Sequence, residues 1–181
     1  MHGLNGMEIM RLVVTGPVGA GKSTFIRTIS DIEVVDTDRQ ATDQTAELKE
    51  KTTVAMDFGR VQVTPEMSLH LYGTPGQARF DFMWDVLIEK AHAYLLLVPA
   101  HRPAEFRNAR VISNYMQQRK NIPMVIGLTH LDCADAWSLE NIAIALGYGD
   151  SYNPRPPMIS VNPTDEISVA TALMSVVDQF A

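Results

Sequence analysis

Gly16-Pro17-Val18-Gly19-Ala20-Gly21-Lys22-Ser23-Thr24 is the stretch on which the reading of this chain turns. The apolar run Leu12-Val13-Val14 precedes it, and Phe25-Ile26 follow as the start of an expected helix. The spacing G-x-x-x-x-G-K-[ST] between a strand and a helix makes a loop whose main-chain N–H groups converge on a polyphosphate. Lys22 is placed to reach the terminal phosphates and Ser23 to ligate Mg²⁺, while the opening helix presents its positive dipole end. Gly16, Val18, Gly19, Ala20, Gly21, Lys22, Ser23 and Thr24 are therefore the candidate phosphate contacts.

The rest of the composition narrows the class. A chain of 181 residues with 46% apolar and 20% charged side chains suits one globular domain with a substantial core. The net charge of −6 argues against a nucleic-acid surface, which needs clustered Lys and Arg. Cys133 is the single cysteine, so no intrachain disulfide forms and a reducing, cytoplasmic setting is expected. No apolar run approaches the ~18 residues of a membrane span, and neither a signal pattern nor a lipidation box is present, so no direct membrane anchor is expected. Met7 offers a second natural start, which makes residues 1–7 an extension and 8–181 the domain.

Along the chain, strands and helices alternate. Glu8 to Thr15 reads as a buried strand, Lys22 to Ser30 as a helix, and Asp36 to Lys51 as a long polar loop. Alternation through Val54, Met56, Phe58, Val61 and Val63, then Met67, Leu69 and Leu71 around Thr64-Pro65-Glu66, predicts an antiparallel hairpin. Phe80, Met83, Trp84, Leu87 and Ile88 recur at helical spacing. The continuous run Ala93 to Val98 predicts a strand covered on both faces. A helix over Pro103 to Arg119, a strand over Pro123 to Leu128, a helix over Ser138 to Leu146 and a strand over Met158 to Val161 follow. Thr164 is expected to cap a last helix with Ile167, Ala170, Met174 and Val177 on its buried stripe. The fold class is α/β: a P-loop NTPase with a mostly parallel six-stranded sheet, one antiparallel strand, and helices on both faces. In such sheets the ligand sits beyond the carboxyl ends of the strands, where the polar segments should gather.

Thr52-Thr53-Val54-Ala55-Met56-Asp57-Phe58-Gly59, Gly73-Thr74-Pro75-Gly76-Gln77 and Phe82-Met83-Trp84-Asp85 stand at those strand ends. With the phosphate loop they resemble, in order and spacing, the bacterial branch of Ras-like small GTPases that includes MglA and the conservon GTPases of actinomycetes. The resemblance implies a GTP/GDP switch with Mg²⁺ as cofactor, working with roadblock-type regulators and effectors. It places Thr53, with Thr52 as competitor, on Mg²⁺ and the γ-phosphate. Gly76 donates its N–H to the same phosphate, and Gln77 orients the attacking water. Thr129-His130-Leu131-Asp132 stands for the base-reading box. Asp132 accepts from guanine N1–H and the 2-amino group, His130 covers the base face, and Thr129 bonds the phosphate loop.

Four departures qualify that carry-over. Gly73 replaces an aspartate that holds the metal, and Asp36, Asp38 and Asp57 are candidate substitutes. Val18 stands where an inserted arginine needs a glycine, so slow hydrolysis by the isolated protein is expected, with any activator working by arranging Gln77 or an internal arginine such as Arg39 or Arg79. His130 replaces the lysine of the base box. Asn162-Pro163-Thr164, or Ser160-Val161 in another alignment, replaces the segment whose N–H reads guanine O6. Two rivals remain: a nucleotide-bound interaction module with little turnover, and a P-loop small-molecule kinase, against which the missing arginine-rich lid argues. Met56, Met67, Met83, Met116, Met124 and Met174 are expected in the core, and His70 is expected to be structural.

Overall fold

The computed structural model describes residues 6–36, 57–74, 82–149 and 153–180. Glu8–Thr15 forms β1, Lys22–Ile29 forms α1, and Val35–Asp36 is a two-residue β2. Asp57–Thr64 (β3) and Met67–Gly73 (β4) make the hairpin, turned at Pro65-Glu66. Phe82–Lys90 (α2), Ala93–Pro99 (β5), Phe106–Arg119 (α3), Met124–Thr129 (β6), Leu139–Ala145 (α4), Met158–Ser160 (β7) and Glu166–Val177 (α5) complete the chain.

One sheet in the order β2-β3-β4-β1-β5-β6-β7 holds these elements together. Six strands have three residues or more, with β2 as a short seventh at the edge. Among the described strands only β3 runs against the others: it pairs antiparallel with both β2 and β4, while β4-β1, β1-β5, β5-β6 and β6-β7 are parallel. β1 is thus flanked by β4 and β5, and the chain winds across the sheet to one side of it before crossing to the other. The switch in winding falls at its carboxyl end, where a crevice opens in sheets of this kind.

The strands sort their side chains with a period of two, and each face is covered by helices. Tyr94, Leu96 and Val98 of β5 join Trp84, Leu87 and Ile88 of α2, Phe106, Ala109, Ile112 and Met116 of α3, and Ile142 of α4 in one core. Ala93, Leu95 and Leu97 face the other way, into a core with Phe25 and Ile26 of α1 and Val169, Ala172, Leu173 and Val176 of α5. Burial on both sides is why β5 reads as an unbroken apolar run.

The last helix departs from its expected register. Asp165, not Thr164, is its N-cap, its carboxylate accepting from Ser168 N at 3.1 Å. The Thr164 hydroxyl instead donates to Asn162 Oδ1 at 2.8 Å. The buried stripe is Val169, Ala172, Leu173 and Val176, leaving Ile167 77% and Met174 46% exposed. An almost wholly apolar helix offers several stripes of equal appeal, and its docking against α1 and the sheet selects one. Met116 and Met124 lie in the core, and Met67 packs at its margin. Met56 lies outside the described residues. His70 stands on β4 with its ring edge-on to Phe58.

Candidate nucleotide site

The phosphate loop leaves the end of β1 and turns directly into α1. Gly16 has φ of +145° and Gly21 φ of +100°, backbone that side chains rarely adopt. A Cβ on Gly16 would lie 2.2 Å from the Leu97 carbonyl oxygen, and one on Gly21 would lie 2.8 Å from Pro163 Cγ. The glycines thus serve two purposes, setting the turn and letting β5 and the Asn162–Thr164 segment approach. Ala20 is fully buried beneath the loop, while Val18 is 54% exposed on its outer side.

Lys22, at the start of α1, folds over the loop it follows. Its Nζ donates to the Gly16 carbonyl at 2.6 Å and the Pro17 carbonyl at 2.9 Å, bridging back to the start of the loop. Burial pushes the ammonium down to about 8, against the opposing attraction of Asp57 and Glu105. Ser23 follows one residue on, and its hydroxyl donates to the Asp57 carboxylate at the start of β3. Thr24, exposed in the same first turn of α1, lines a cavity of about 420 Å³.

That cavity joins the two ends of the site. Its walls include Gly21 and Thr24 on the phosphate side, His130 and Asp132 beyond β6, and Asn162 and Pro163 beyond β7. Thr129, buried at the end of β6, donates its hydroxyl to the Ala20 carbonyl at 2.9 Å, tying the two ends together. His130 adopts φ of +60°. Its ring stacks on His101 with centroids 4.4 Å apart, and its Nδ1 lies 3.1 Å from the Thr129 hydroxyl. Burial and the neighbouring His101 and Arg102 hold the His130 imidazole below its usual range, Asp132 opposing them. A neutral, flat ring therefore lies beside the cavity, with the exposed Asp132 carboxylate two residues on.

The segment after β7 is closed in on itself. Val161 N donates to Leu128 O at 2.9 Å, Asn162 N to Ser168 Oγ at 2.8 Å, and Thr164 N to Asn162 Oδ1 at 3.2 Å. Pro163 has no N–H, so each main-chain amide from 161 to 164 is occupied or absent. Asn162 lines the cavity with its side-chain oxygen already engaged by Thr164.

Thus the structure gathers Gly16, Val18, Gly19, Ala20, Gly21, Lys22, Ser23 and Thr24 at one end and Thr129, His130, Asp132 and Asn162 at the other. Thr53, Gly76 and Gln77 lie outside the described residues, as do Asp38, Arg39 and Arg79. Sequence reasoning passed over His101 and Arg102, on the turn after β5. His101 backs His130, and the Arg102 Nη1 would lie 2.8 Å from a Cβ on Gly19. Their signal was position: β5 is the second neighbour of β1, and its carboxyl end borders the same crevice.

Comparison with known proteins corrects one expectation. A family model described as conserved hypothetical ATP binding protein matches residues 31–149, from the end of α1 past α4. The uncharacterized protein MJ1339 of Methanocaldococcus jannaschii is 24% identical over 127 residues, covering 70% of this chain and 73% of that protein. The likeness of the strand-end motifs to bacterial Ras-like GTPases is therefore not membership of that family, and the roadblock-type partners it implied lose their basis. Separate P-loop families share the demand of holding phosphates at the carboxyl ends of parallel strands, so similar motifs there do not establish one family. The chain belongs to the family of conserved hypothetical ATP binding proteins, and is a nucleotide-binding protein with a P-loop NTPase fold.

Proposed function

We propose that this protein binds GTP and GDP with Mg²⁺ and hydrolyses GTP slowly. The observation that carries the reading is the cavity shared by the phosphate loop and Asp132. A triphosphate held by the loop amides directs its base between the His130 ring and the segment after β7. There the Asp132 carboxylate accepts from guanine N1–H and the 2-amino group. Adenine in the same pose offers a bare N1 and no 2-amino group, leaving a desolvated carboxylate opposite a lone pair.

The donor set suits Mg²⁺, a hard cation bound through one or two protein oxygens together with substrate phosphates. Ser23 offers a hydroxyl oxygen whose proton is turned away toward Asp57. Thr53 is assigned to the same ion and to the third phosphate with Gly76, and Gln77 to the attacking water. Loss of the third phosphate releases those residues, which makes the two nucleotide states distinguishable to a partner.

A second reading, ATP as ligand, has its own support. The family's description names ATP, and no main-chain amide between Val161 and Thr164 is free to meet guanine O6. Titration calorimetry with GTP, GDP, ATP and ADP in Mg²⁺ decides between them. We expect guanine nucleotides to bind at least about tenfold more tightly, the worth of one charge-assisted hydrogen bond. Equal or tighter binding of ATP overturns the guanine assignment. Phosphate release followed in parallel should be slow, and Gln77→Leu should lower it by about 10² or more while leaving affinity intact.

A further inference from the structure

P-loop NTPases hold Mg²⁺ with the loop Ser or Thr and with an aspartate at the end of a strand beside the loop. Neither neighbour of β1 carries one here. β4 ends Tyr72-Gly73-Thr74 and β5 ends Val98-Pro99-Ala100, without a carboxylate in either run. The carboxylate that reaches Ser23 comes from one strand further out. Asp57 opens β3, and the antiparallel register sets it directly opposite Gly73.

Glycine at 73 leaves the space beside Asp57 open. A Cβ built on Gly73 would lie 3.3 Å from Asp57 Cβ and 2.8 Å from Ile26 Cδ1. A side chain at 73 would thus meet Ile26 first and press on Asp57 by a few tenths of an ångström. The bond to Asp57 also prepares Ser23 to ligate a cation, because the hydroxyl gives its proton to the carboxylate and keeps both oxygen lone pairs for the metal. Among the described residues, two other carboxylates near the loop are placed less well. Asp36 stands opposite Asp57 on β2, a strand further from the loop. Glu105, whose charge Lys22 feels, has its carboxylate bonded to Asn108 Nδ2 at 2.9 Å.

We propose that Asp57 supplies, across the hairpin, the metal-holding carboxylate that β4 lacks, and that glycine at 73 is the complement of that transfer. Asp57 and Ser23 are then the pair of described side chains that position Mg²⁺ against the nucleotide. This inference rests on the reading that the cleft binds a nucleoside triphosphate.

Its test measures metal affinity rather than turnover. Fluorescent GDP and GTP are bound to wild-type protein and to Asp57→Asn in EDTA, and Mg²⁺ is then titrated while nucleotide release is timed. With each protein referred to its own release rate in EDTA, Asp57→Asn should need about 10–100-fold more Mg²⁺ to slow release, the usual loss when a carboxylate behind a metal ligand is removed. An unchanged Mg²⁺ midpoint overturns the inference alone. Wild-type protein that binds neither nucleotide overturns the function reading and this inference with it. A second measurement needs no variant: with Mn²⁺ in place of Mg²⁺ in the wild-type complex, the ¹³C resonance of the Asp57 carboxylate should broaden beyond detection. A sharp Asp57 signal in the Mn²⁺ complex contradicts the proposal.

Discussion

The phosphate end and the base end of the cleft are built on different principles. In the proposed function the ligand is met from Gly16 to Ser23 chiefly by main chain, with the Lys22 and Ser23 side chains added. From Thr129 to Asp132 and from Val161 to Thr164 it would be met by side chains, since each main-chain amide from 161 to 164 is engaged or absent. A main-chain site is encoded by where glycines must stand. A side-chain site is encoded by residue identity, which can change one position at a time while the cavity survives.

That contrast sets the order of expected effects. Gly16→Ala should be the most damaging change, because the added Cβ meets the Leu97 carbonyl at 2.2 Å in a left-handed backbone. A loss of about 3 kcal/mol is expected, or a fall in Tm of roughly 6–12 °C for a chain of this size, read by calorimetry. A variant as stable as wild type would mean that the loop does not pack on β5 as described.

Lys22→Ala acts on the ligand instead of the fold. Removing the ammonium that spans the loop should weaken binding of GTP by roughly 10–100-fold with Tm little changed. Asp132→Asn is the matching change at the other end. It should leave diphosphate and triphosphate affinities in their usual ratio while bringing GTP and ATP within about threefold of one another, since the discrimination of roughly one charged hydrogen bond is lost. If Asp132→Asn instead weakens both nucleotides equally, the carboxylate supports the loop and does not read the base.

The smallest effect lies in protons. The Lys22 ammonium titrates at about 8 in the free protein because it is buried, and phosphate oxygens favour its charged form. A group with a lowered value that binding raises takes up a proton from solvent, and the uptake appears as pH approaches and passes about 8. Calorimetry at pH 8.5 in buffers of different ionisation enthalpy should show a fractional proton taken up per GTP, and none at pH 6.5. Equal heats at pH 8.5 across buffers would place Lys22 away from the phosphates.

Much of the fold is legible in the sequence, for reasons that differ by element. β5 and β6 declare themselves because burial on both faces demands continuous apolar residues, and the hairpin shows by alternation around Pro65-Glu66. The phosphate loop is legible because glycine spacing is itself the geometry. The stripe of α5 is not, because Ile167, Val169, Met174 and Val176 are equally apolar and only docking ranks them. His101 was silent for a similar reason: its value lies in stacking on His130 across a turn, which no local pattern records. Asp57 stood in view among three aspartates, and the register between β3 and β4 is what separates it from Asp36. The family is not legible in the strand-end motifs, because separate P-loop families share the demands of phosphate binding at that edge of the sheet.

The most direct measurement is a crystal structure of the protein with Mg²⁺ and a non-hydrolysable GTP analogue. The account predicts the triphosphate within hydrogen-bond reach of the amides from Val18 to Ser23 and the guanine N1 and 2-amino groups on the Asp132 carboxylate. A nucleotide bound with its base turned away from Asp132, or with its phosphates outside the Gly16–Ser23 loop, would contradict it.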